Sequence, residues 1–195
     1  MKKLLIVGAV ALFASMNAQE TETVGFAKGN TFITGAVGFG SEKTGDEKEN
    51  TFTIAPSAAY FITSNVALGA RVGYANTKVE EGNDEVKTDA FTAGVFGRYY
   101  WMPASKFSIF AELGANYGTT STKVTGSDKF KSNGFGIEFA PGINYFLNKN
   151  FALEAKWGVL GYNSVKPDVD GATATNNFGF GVNLSDINLG LVYKF

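Results

Sequence analysis

The last nine residues, INLGLVYKF (187–195), decide the fold. Counting back from the end, Phe195, Tyr193, Leu191, Leu189 and Ile187 alternate with Lys194, Val192, Gly190 and Asn188. Period two places the two sets on opposite faces of a β-strand. Terminal residues are loosely held unless something receives them. A final strand this regular implies a partner strand.

Seven further segments alternate in the same way: 31–41, 51–61, 66–74, 90–101, 107–117, 135–146 and 151–159. Tight connections at 62–65 (ITSN), 102–106 (MPASK) and 147–150 (LNKN) alternate with longer polar ones at 42–50, 75–89, 118–134 and about 160–177. This spacing predicts consecutive antiparallel hairpins with every long loop on one side. That layout is an all-β, eight-stranded antiparallel up-and-down transmembrane β-barrel, with short periplasmic turns and longer extracellular loops. The composition agrees, with 24 glycines, 18 phenylalanines and only 4 prolines.

A faint repeat runs at an offset of four strands. APSAAYFITSNVALGAR (55–71) aligns with APGINYFLNKNFALEAK (140–156), sharing Pro56/Pro141, Tyr60/Tyr145, Phe61/Phe146 and Asn65/Asn150. Two four-stranded halves and convergence on one hairpin chemistry explain it equally.

The N-terminus reads as an export signal. Lys2 and Lys3 precede an uncharged apolar run, Leu4 to Ala14, and small residues follow at 17–18. The expected organisation is a cleaved signal peptide at 1–18, a short lead-in at 19–30 and a barrel at 31–195. Without 1–18 the chain keeps 15 basic and 18 acidic residues, too acidic for nucleic-acid binding. With no histidine and no cysteine, triad-type and thiol catalysis lack their groups, so no enzyme is expected and no residue is assigned a catalytic role. No metal or cofactor is expected either. The acidic stretches GDEKE (45–49), EEGNDE (80–85) and DVDG (168–171) lack a full calcium-loop spacing and read as solvated loop tips.

The charges within strands are Arg71, Arg98, Glu112, Glu138, Glu154, Lys156, Asp186 and Lys194, all on the parity opposite the apolar set. In a membrane barrel that parity faces the lumen, whereas in a soluble barrel it faces water. The charged face also holds Gly69, Gly73, Gly94, Gly114, Gly136, Gly158 and Gly190. A crowded lumen has a use for glycine that a solvent face lacks. Aromatic residues on the apolar parity, among them Tyr60, Tyr99, Trp101 and Tyr145, gather beside the short turns as an interfacial girdle would. Phe61, Tyr100 and Phe146 have the other parity and join the girdle only if the strands end there. With the short turn centred on Ala104, Arg98 faces Phe110 and Glu112 is its diagonal neighbour. Arg98–Glu112 is then the expected lumen pair.

The terminal Leu189, Leu191, Tyr193 and Phe195 resemble the C-terminal assembly signal of Gram-negative outer-membrane proteins. The whole mature chain resembles the small OmpA/OmpX-like outer-membrane β-barrel domain group of the porin-like superfamily. The Pro-x3-Tyr-Phe segments before a short turn and Asn-x-Ala-Leu after it (Pro56 to Leu68, Pro141 to Leu153) point most to that group. The resemblance implies residence in the cell outer membrane among lipid and lipopolysaccharide, with the barrel-assembly machinery as a partner during biogenesis. Three functions stay open on the residues. One is a structural or surface-interaction barrel with a lumen filled by side chains and salt bridges. The second is a narrow channel for ions or small solutes, and the third a soluble ligand-binding β-barrel.

Overall fold

The computed structural model describes residues 24–82, 84–181 and 187–195. The signal peptide, the start of the lead-in and Asp186 therefore lie outside the described residues. Among the described residues ten strands form. They are β1 (Thr31–Thr44), β2 (Glu47–Phe61), β3 (Val66–Glu81), β4 (Asp84–Trp101) and β5 (Phe107–Val124), followed by β6 (Phe130–Phe146), β7 (Phe151–Lys156), β8 (Leu160–Pro167), β9 (Thr175–Phe180) and β10 (Asn188–Lys194).

Strands β1 to β6 pair in sequence, each antiparallel to the next. The seventh and eighth staves are each divided in two. β7 and β8 follow one another along β6, while β10 pairs with β7 and β9 with β8. β10 then meets β1, with Phe32 opposite Lys194 and Gly35 opposite Leu191, and this pairing closes the eight-stranded barrel. The final strand is thus received by the first.

The expected seventh strand, 151–159, ends early at Lys156. Gly142 pairs with Lys156 and Phe139 with Leu160, so Trp157, Gly158 and Val159 oppose only Ala140 and Pro141. One extra residue on one side is a β-bulge, and Pro141, with no N–H, sits where the ladder yields. Pro56 holds the equivalent place in the first half. There the β2–β3 pairing skips from Ile54–Tyr74 to Ser57–Arg71 without a shift of register.

The longer connections are far more ordered than their polar composition suggests. β1 and β2 stay paired up to Thr44–Glu47, and β3 and β4 up to Glu81–Asp84. β5 reaches Val124 and β8 begins within the expected last loop. Thr and Val recur along these arms and suit paired strands even in water, with Thr77 opposite Thr88 and Val79 opposite Val86. β4 and β5 each run 18 residues. A bilayer is crossed in ~10 tilted residues, so roughly half of each strand projects beyond it.

The parity is that of a membrane barrel. Val37, Leu68, Val95, Leu113, Ile137 and Leu153 point outward and are exposed, while Phe32, Phe61, Phe96, Phe110 and Val192 are buried inside. The girdle residues Tyr60, Tyr99, Trp101 and Tyr145 all face outward beside the short turns.

Candidate functional site in the lumen

The periplasmic end of the lumen is packed with rings. Phe32, Phe61, Tyr100, Phe110 and Phe146 point inward from five different strands and are fully buried. Phe61, Tyr100 and Phe146 therefore belong to this inner plug and not to the girdle. Into their centre the lead-in inserts Phe26, only 1% exposed, with ring centroids 4.8 Å from Phe61, 4.9 Å from Phe146 and 5.3 Å from Tyr100. The backbone around Phe26 is tied to the barrel. Phe26 N–H donates to the Pro103 carbonyl at 2.7 Å, and Lys194 Nζ donates to the Gly25 carbonyl at 2.6 Å. Gly25 has φ +118°, and a side chain there would run into the backbone of Pro103 and Ala104, so only glycine fits this approach.

Above the rings lies a layer of charge. Arg98 Nε donates to Glu112 Oε2 at 2.5 Å, and its Nη1 and Nη2 donate to Glu154 at 2.6 and 3.1 Å. Arg71 Nη2 and Lys156 Nζ both reach Glu112 Oε1, at 2.5 and 2.9 Å. Three cations thus share two carboxylates. Arg98 is 3% and Glu112 2% exposed, so water screens the central pair little. Aromatic faces hold the guanidinium groups in place: Arg98 stands 4.4 Å over the Phe110 ring and Arg71 4.5 Å over Phe96.

The structure places Arg98 directly opposite Glu112, and Phe110 opposite Tyr100. The diagonal arrangement expected from a turn centred on Ala104 is therefore displaced. The 102–106 turn centres one residue later, with Met102 adopting φ 54°. Arg71 reaches Glu112 from β3 to β5, across β4, and Glu154 reaches Arg98 from β7 to β4. Lys194 lies apart from this layer, serving the lead-in near Phe146. Glu138 points into the lumen beside Gly158 and makes no ion pair or hydrogen bond among the described residues.

The lumen glycines make this crossing possible. A Cβ at Gly69 would strike the Phe96 ring, one at Gly114 the Arg71 guanidinium and one at Gly142 the Phe110 ring. Large side chains lean over positions that carry none. Higher up the lumen opens. One cavity of about 270 Å³ lies over the ionic layer between Arg71, Glu138, Glu154 and Lys156. A second of about 250 Å³ continues toward the hairpins, lined by Thr92, Asn116, Asn133, Glu138 and Asn163. The lumen is filled by side chains at its base only. No signal in the sequence marked Phe26, an isolated aromatic in a polar lead-in, as part of this interior.

A family model described as "Outer membrane protein beta-barrel domain" matches residues 5–195. No curated protein matches the chain. Among solved structures, the outer membrane protein OprG of Pseudomonas aeruginosa superposes with TM-score 0.50 at 16% identity, covering 88% of this chain and 98% of its own. A major outer membrane protein of Thermus thermophilus gives TM-score 0.50 at 14% identity, covering 87% of this chain and 100% of its own. The attachment invasion locus protein Ail of Yersinia pestis gives 0.48 at 12%, over 86% and 99%. These likenesses are of fold.

Proposed function

The chain belongs to the outer membrane protein beta-barrel domain family and resides in the cell outer membrane, and from that premise we propose that it works as a sealed, non-conducting barrel with a structural and surface-interaction role. The observation that carries this reading is the closed base, where the buried ring cluster around Phe26 underlies the Arg98–Glu112–Glu154 layer. An ion path would have to cross a dry aromatic layer and a network whose charges already satisfy one another. The upper arms, extending well past the bilayer, present the interacting surface to lipopolysaccharide and to other partners outside the cell. Leu189, Leu191, Tyr193 and Phe195 serve as the signal read by the barrel-assembly machinery. Their support is position: Leu189, Leu191 and Tyr193 alternate on β10, the strand that closes onto β1, and Phe195 follows it directly. The reading assigns the protein no enzymatic activity.

Conductance of the purified, refolded barrel in a planar bilayer tests it. No unitary steps are expected from protein whose unboiled gel band shows it folded. Steady steps that change when Glu112 is replaced by Gln would overturn the reading in favour of a narrow channel.

A further inference from the structure

The charge layer and the space above it are complementary to one kind of ligand. Arg71 gives Nη2 to Glu112 and keeps 21% of its side chain exposed. Lys156 Nζ has three donors, and one of them goes to Glu112. Both cations line the cavity of about 270 Å³, and so does Glu138, whose carboxylate has no partner among the described residues. Two cations and a carboxylate with no partner among the described residues therefore line one cavity that is open toward the hairpins.

We propose that this cavity binds a small zwitterion, its carboxylate toward Arg71 and Lys156 and its ammonium group toward Glu138. A simple anion would gain the two cations but stand near Glu138. A simple cation would gain Glu138 but stand near Arg71 and Lys156. The three cations Arg71, Arg98 and Lys156 balance the three carboxylates Glu112, Glu138 and Glu154, so a ligand of zero net charge leaves the buried balance intact. The volume is that of several waters, each about 30 Å³, and suits a free amino acid with a small side chain. Entry is from the hairpin end, since Glu138 and Thr92 line both this cavity and the one above it. Binding here requires no passage through the base, so the proposal stands apart from the conductance question.

The test is an amide chemical-shift titration of the refolded barrel in lipid nanodiscs, with glycine and alanine as probes and acetate and methylammonium as controls. Glycine should give saturable shifts around Arg71, Glu138 and Lys156, with both controls at least tenfold weaker. Glu138→Gln should weaken glycine at least tenfold and leave acetate no weaker than before. Lys156→Gln, which leaves Glu112 two cations, should weaken glycine to the same degree and serves if the first variant does not fold. No saturable response from folded wild type overturns the proposal. So does acetate or methylammonium binding as tightly as glycine, or glycine binding unchanged in a folded variant.

Discussion

At the scale of single residues, Glu112 holds Arg71, Arg98 and Lys156 at once. Replacing it with Gln leaves three cations to one strongly paired carboxylate. Breaking a buried pair in this way costs ~3–5 kcal/mol. We expect a loss of that size in urea unfolding of the barrel from lipid vesicles. The exchange Arg98→Glu with Glu112→Arg should recover only part of it, because Arg71 and Lys156 would then face a like charge at position 112. Full recovery would mean that Arg98 alone matters to Glu112. The parity of these charges was legible from period-two counting, and so was the company of lumen glycines. Which charges touch was not legible, because a turn centre misplaced by one residue slides every pair along the strand. The reach of Arg71 over Gly114 depends on curvature, which no local pattern encodes.

At the scale of elements, the paired arms beyond the bilayer are held by exposed polar contacts as well as by backbone ladders. Lys78 bonds Glu80 at 2.6 Å and Glu85 at 2.9 Å, while the Tyr74 hydroxyl donates to Asp89 at 2.7 Å. The Tyr74 hydrogen bond holds the Asp89 carboxyl below its usual range, and the Lys78 hydrogen bond does the same for Glu80. Lys78 is held above its ordinary value by the hydrogen bond to Glu80. Carboxylates depressed in the folded state contribute above their unfolded values and lose that contribution as pH falls through the folded ones. The raised lysine loses its contribution only in strong alkali. The side-chain carboxyl carbon signals of Glu80 and Asp89 should therefore hold steady from about pH 5 to 9 and move only below about pH 4, with the ring cluster at the base unmoved. Movement with a midpoint at or above the ordinary carboxylate range would refute these contacts. Polar composition hid these arms from the sequence reading, because Thr-rich segments such as 118–124 look alike as loop or as paired strand. The turns were more legible. Asn65 and Asn150, 85 residues apart, donate side-chain hydrogen bonds to Tyr100 and Lys194 carbonyls at 2.9 and 2.8 Å, so the repeat corresponds to one turn chemistry used twice.

At the scale of the whole molecule, one segment before the first strand completes the interior. Phe26→Ala would empty the centre of the ring cluster, and a Phe→Ala change of this kind costs ~3–5 kcal/mol. The temperature at which the folded gel band is lost should fall clearly, yet the bilayer should stay silent, since the Arg98–Glu112–Glu154 layer remains. Conductance in Phe26→Ala would place the seal in the rings alone. The sequence revealed the barrel from its strands but showed the lead-in only as a spacer, because a single buried phenylalanine has no period. That same segment lies against the last strand: Lys194 holds Gly25, and Phe195 N–H donates to the Thr31 carbonyl at 3.0 Å. The first and last described segments are neighbours. A circular permutant could therefore join them with a short linker and open instead at a hairpin tip such as Gly45, keeping each base contact while moving Phe195 to the interior of the polypeptide. On the proposed reading of the last strand as an assembly signal, such a molecule would uncouple the barrel's own thermodynamics from its delivery, folding in detergent as before and arriving in the membrane only if a strand and not a terminus is read.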